Sequence, residues 1–128
     1  MIGLDTNVLV RYLAQDDKAQ SARAAKLIEQ ECGAETPGFV AQIVLAEVAW
    51  VSESVYAATR KEVAEIVRRI LNIRQLVVQD AEIAWQALRL FEMSRADFAD
   101  CLIERTAMAA GCGKTMTFDK KAGMTLLN

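Results

Sequence analysis

A chain of 128 residues with 53% hydrophobic and 25% charged residues, one proline and six glycines has the size and composition of a globular domain, not of a disordered tract. It contains no histidine, which removes Ser-His-Asp and Cys-His nucleophilic machinery, imidazole acid–base chemistry and histidine-bound zinc or iron; hydrolysis would have to rest on carboxylates, lysines or a hard metal ion. The formal net charge of −2 argues against a freestanding nucleic-acid clamp, but not against a nuclease whose metal ions supply positive charge.

In chain order, Met1-Ile2-Gly3-Leu4 is a short apolar run ended by Asp5-Thr6-Asn7, after which Val8, Leu9, Tyr12 and Leu13 recur at helical spacing: strand, polar turn, helix. Asp5 and Asn7 interrupt any N-terminal membrane or secretory segment, so a cytoplasmic protein without membrane attachment is expected. Asp16-Asp17 opens a second helix to about Glu31, with Cys32-Gly33 as its stop. Thr36 to Ala41 reads as a short strand or turn. Gln42 to Tyr56 is nearly all apolar and too long for a strand, so a buried helix is expected, with Glu47 the only charge within Ile43 to Val51.

Arg60 to Ile73 places Val63, Ile66, Val67, Ile70 and Leu71 on one face of an amphipathic surface helix. Leu76 to Val78 reads as a strand, Ala81 to Met93 as a helix, and Asp97 to Ala110 as another helix stopped by Gly111 and Gly113. Thr115 to Thr117 is a last strand before Phe118-Asp119 and the Lys120-Lys121 turn. Strands separated by helices imply an α/β layer architecture with a parallel sheet, as one domain over residues 1–128. Cys32, Cys101 and Cys112 are odd in number and form no C-x-x-C pair; they are expected to be small buried or half-buried groups.

The chemistry-bearing residues are acidic. Ligands of open parallel sheets collect beyond the carboxyl ends of the strands, and Asp5 and Asp119 both follow apolar runs read as strands. Taken singly, each is also an ordinary turn or helix-capping residue. Glu47 in an apolar helix requires a partner, either a metal or a buried cation such as Arg11. Asp97 and Asp100 lie three apart on one helix; Asp100 sits between Phe98-Ala99 and Cys101-Leu102-Ile103, while Asp97 also suits an N-terminal cap. Carboxylates gathered at one place repel each other without a cation, and oxygen-only ligation suits Mg²⁺ or Mn²⁺.

In this order, Leu4-Asp5-Thr6-Asn7-Val8-Leu9-Val10-Arg11-Tyr12-Leu13, Val44 to Val51 around Glu47, Ala96-Asp97-Phe98-Ala99-Asp100 and Thr117-Phe118-Asp119-Lys120-Lys121 resemble the PIN-domain family and its VapC-type toxin branch. Each motif alone is weak, but together they span nearly the whole chain. The resemblance implies a PIN-like three-layer fold with a central parallel sheet of four or five strands flanked by helices. It implies Mg²⁺-dependent RNA cleavage, homodimerisation and a cognate antitoxin. It assigns Asp5, Glu47, Asp100 and Asp119 to the acidic site, Asp97 to an additional or supporting role, and Thr6, Asn7 and Thr117 to polar positions that shape it. Arg11 is open to three roles: a phosphate anchor, a partner of an acidic ligand, or packing around Tyr12. Arg60, Lys61, Arg68 and Arg69 are either an RNA path or a solvated face.

Two other classes compete. Aspartate-based phosphoryl transfer or a phospho-receiver domain would use acidic strand ends and a lysine such as Lys114 or Lys120, but leaves Glu47 unexplained and prefers a second aspartate where Asn7 stands. A non-catalytic binding module would use the apolar surface around Trp50 and Val51, residues that spacing alone assigns to the core.

Overall fold

The structure, a computed structural model, describes residues 1–127. Its elements are β1 (Ile2–Gly3), α1 (Thr6–Ala14), α2 (Lys18–Lys26), β2 (Gly38–Val40), α3 (Gln42–Ser54), α4 (Arg60–Leu71), β3 (Leu76–Val78), α5 (Ala81–Met93), α6 (Phe98–Ala109), β4 (Met116–Thr117) and β5 (Thr125–Leu126). All strand pairings among the described residues are parallel, so the expected α/β architecture holds. The hydrogen-bonded sheet differs from the continuous four or five strands expected. Strands β1, β2 and β3 form one sheet with β2 in the middle, while β4 and β5 form a separate pair. The β4–β5 pair is built from two two-residue strands that bond to each other and not to the main sheet, and β5 falls in Met124 to Leu127, too short a run to read as a strand.

The central strand β2 is the most enclosed. A Cβ on Gly38 would lie 2.8 Å from Leu76 Cδ2 and 2.9 Å from Leu4 Cδ1, so any larger residue there must displace both leucine side chains. Val40 next to it is fully buried and joins Leu9, Ile28, Leu45, Val48, Val63, Val67, Ile70, Leu88 and Phe91 in the core. Past the carboxyl end of the sheet the Gln79 side chain accepts from the Gln42 amide (2.9 Å), meeting a donor that the first turn of α3 leaves unpaired.

Local sequence explains most helix boundaries. Asp17 accepts from the Gln20 amide (3.0 Å) to start α2, and Thr59 with Glu62 makes a reciprocal capping box at α4. The chain after α2 continues as a π-helical turn over Leu27–Glu31, closed by the Cys32 amide donating to Leu27 O (2.9 Å). This is where the single long helix expected as far as Glu31 changes its geometry.

Helix α3 is not buried all round. Val44, Leu45, Val48, Ala49 and Ser52 face the core, whereas Ile43, Glu47, Trp50 and Ser54 form an exposed line at helical spacing. Ile43 is 71% and Trp50 66% exposed, so the expectation that Trp50 belongs to the core is corrected. Cys32 and Cys101 are buried as expected, and Cys112 is exposed. Among the described residues no helix is long and apolar enough to cross a membrane.

Candidate functional site

Asp5 and Asp97 stand at equivalent places, each the N-cap residue of a helix with extended backbone, and in neither does the side chain cap the helix. Asp5 serves α1 through its carbonyl, which accepts from Val8 (3.1 Å) and Leu9 (3.5 Å) amides. The local capping alternative therefore fails for both carboxylates, which remain exposed and free for another partner.

Glu47 is exposed, not buried in an apolar helix, because it lies on the outer line of α3. Its Oε1 accepts a hydrogen bond from the buried Thr6 hydroxyl (2.8 Å), which ties the first turn of α1 to the middle of α3. Arg11 is not its partner. The Arg11 guanidinium donates through Nη1 to Asp16 (3.2 Å) and Tyr56 (3.1 Å) and through Nε to Gln20 (2.7 Å). The Tyr56 hydroxyl donates to Asp16 (2.8 Å) and, with Arg11, holds that carboxyl below its ordinary range. This Arg11–Asp16–Tyr56 group was not read from the sequence, since its members are spread over three elements with no shared spacing.

The second acidic group forms where α6 begins and β4 ends. Asp100 is half-buried on the first turn of α6; desolvation, then the charges of Asp97 and Asp119, push its carboxyl above the usual range, partly offset by a hydrogen bond from the Asp97 amide. Asp119 is exposed in a tight turn, its amide donating to Thr117 Oγ1 (3.0 Å) and its Oδ1 accepting from the Lys121 amide (2.9 Å). Asn7 is exposed on the first turn of α1.

Thus Thr6 joins Glu47 beside Asp5, and Asp100 feels the charges of Asp97 and Asp119. The two groups are bridged by α3 packing on α6, where Thr106 donates to Gln42 (3.1 Å). Among the described residues no three acidic or cysteine side chains already close around one point. Nor does any of Asp5, Glu47, Asp97, Asp100 or Asp119 form an ion pair with lysine or arginine there. An all-oxygen donor set with uncompensated mutual repulsion fits a hard divalent cation and offers nothing to a soft one. Cys101, adjacent to Asp100, is fully buried in the core, and burial pushes its thiol up to about 11.

Two of the cations read as either an RNA path or a solvated face lie at the surface with their guanidinium groups already engaged. Arg60 donates to Phe91 O (2.7 Å) and Ser94 O (3.0 Å), with its guanidinium 3.9 Å above the Phe91 ring; it closes the free carbonyl end of α5. Arg68 pairs with Glu65 (2.6 Å) and Glu92 (2.7 Å).

Comparison with known proteins adds two findings. The family profile of the PIN domain matches residues 2–123. The chain is similar to a protein named VapC ribonuclease from Aquifex aeolicus (strain VF5), 26% identical over 129 residues that cover 98% of this chain and 94% of the relative. No solved structure matches it significantly.

Proposed function

The chain belongs to the PIN domain family, and from that premise we propose that it is a divalent-metal-dependent endoribonuclease acting as the toxin of a toxin–antitoxin pair. The observation that carries this reading is the set of unneutralised carboxylates at the ends of β1, β4 and α6, none with a cationic partner among the described residues. In it Asp5, Glu47, Asp100 and Asp119 hold Mg²⁺, or Mn²⁺ in its place, with Asp97 as an additional ligand or support. The bound cation supplies Lewis acidity and an activated water for phosphodiester hydrolysis.

The chain's own part is positional. Thr6 fixes the rotamer of Glu47 from a buried site. The Lys121 amide and the Thr117 turn fix Asp119. Burial, then the charges of Asp97 and Asp119, make the Asp100 carboxylate costly to ionise alone, a cost that a bound cation would offset. Asn7, exposed on the first turn of α1, meets substrate at the rim in this reading.

The whole chain acts as one domain in the cytoplasm, with RNA as substrate and an antitoxin protein as regulator. It works as a homodimer, whose interface must leave the Ile43–Glu47–Trp50 line of α3 open to substrate. A concentration-independent monomer mass in sedimentation equilibrium would remove the dimer.

The test of function is brief expression of the parent and of Asp5→Asn and Asp100→Asn, followed by sequencing of new RNA ends and by Mg²⁺-dependent cleavage of the RNA so identified. Both variants should lose cleavage to background with unchanged circular dichroism. Parental cleavage by either folded variant excludes that residue from the mechanism, and a parent that produces no new ends sinks the nuclease reading.

A further inference from the structure

Helices α1 and α2 form a hairpin, joined by three residues and therefore antiparallel, with Arg11 O accepting from the Ser21 hydroxyl (2.8 Å) and Arg11 Nε donating to Gln20 (2.7 Å). Between them lies a cleft of about 550 Å³, lined among others by Asn7, Arg11, Gln20, Arg23, Lys26 and Glu31. Three cations thus face one carboxylate, in a chain whose net charge is −2.

The cations are also disposed differently from the rest. Arg11 is anchored through Nε and Nη1, while its Nη2 has no hydrogen-bond partner among the described residues. Arg23 and Lys26 are exposed and form no ion pair there, in contrast to Arg68 and Arg105. A cationic last turn does complement the helix dipole, but α2 carries on into the π-helical turn, whose Leu27 and Glu31 line the same cleft. In the antiparallel hairpin, the Arg11–Gln20 contact marks one end. The Asn7 end, next to Asp5 and Thr6, is the one that the later part of α2 approaches.

We propose that this α1–α2 cleft is the track for the phosphodiester backbone of RNA leading to the carboxylates, with Arg23 and Lys26 as its phosphate contacts and Arg11 as a fixed third. The identity of the anion rests on the ribonuclease reading. Recognition here is of charge along a strand and not of base edges, and is therefore independent of sequence and steeply salt-dependent.

The test is equilibrium binding of a fluorescein-labelled polyuridine, followed by anisotropy in EDTA so that metal-dependent cleavage is off. It compares the parent, Arg23→Gln/Lys26→Gln, and a control of equal charge change at exposed positions away from the cleft, Arg74→Gln/Arg89→Gln. The cleft variant should bind about tenfold or more weakly at low salt, with the slope of log K against log salt shallower by about 1.4, while the control stays within about twofold of the parent. A cleft variant that binds as the parent does, an equal loss in the control, or a parent that does not bind polyuridine overturns the proposal. Tighter binding of polyglutamate than of polyuridine, lost with Arg23 and Lys26, assigns the cleft to an acidic polypeptide and overturns it as well. Cleft-dependent RNA binding by a parent that cleaves no RNA with Mg²⁺ keeps the cleft and rejects the ribonuclease reading instead.

Discussion

The β1–β2–β3 sheet and the β4–β5 pair each deliver an acidic residue to the candidate site, yet they are built to different standards. Strand β2 is paired on both sides, with Gly38 and Val40 buried. The β4–β5 pair is two residues long and largely exposed. Outside its ladder it is tied by the Thr125 amide on Thr115 O (2.9 Å) and the Leu127 amide on Thr117 O (2.7 Å), and only Ala122 in its connection is buried. Asp5 therefore rests on the core and Asp119 on a segment with little burial to hold it. The difference separates what stabilises the protein from what completes the site, since regions with few buried contacts open most easily.

Substitutions in the two regions should part accordingly. Leu45→Ala, at a fully buried position of α3, should cost about 2–5 kcal/mol in urea unfolding, whereas Phe118→Ala, 79% exposed beside Asp119, should stay within about 0.5 kcal/mol. Equal losses would erase the distinction. Gly38→Ala should cost about 1–3 kcal/mol, because the flanking Leu76 and Leu4 side chains must move to admit the methyl group. An unchanged unfolding midpoint would mean that the central strand is looser than its contacts indicate. Thr117→Val, which removes the acceptor for the Asp119 amide, should cost no more than about 1 kcal/mol. Under the proposed function it should still lower RNA cleavage several-fold, and parental cleavage would show that the Asp119 turn needs no such support.

Helix α5 was readable from the sequence to the residue by its apolar period alone: it begins at Ala81 and ends at Met93 as expected, although Asp80 before it caps nothing with its side chain. The outer line of α3 was not. Ile43 and Trp50 make the surface as apolar as the core, so the period of burial disappears into a continuous hydrophobic run, and Glu47 seemed enclosed when it is exposed. The five acidic positions were legible as residues in order, but not their local roles, because an N-cap aspartate that caps and one that leaves its carboxylate free have the same neighbours in sequence. Arg60 reads as a surface cation at the start of α4; its grip on Phe91 and Ser94 depends on packing of α4 against α5. Conversely, Arg23 and Lys26 look like an ordinary solvated face until α1 is laid beside them.

The uneven exposure of the three thiols has a practical consequence. Cys32 and Cys101 are buried and burial raises both thiols above their ordinary range, so little reactive thiolate forms on either at neutral pH. Cys112 alone is exposed, on the loop between α6 and β4. The native chain thus carries a single addressable attachment point three residues before Thr115, at the edge of the segment that bears Asp119. A maleimide fluorophore or spin label placed there reports on the ordering of that segment without any engineered cysteine, and intact mass should show one adduct on the folded protein and three after denaturation.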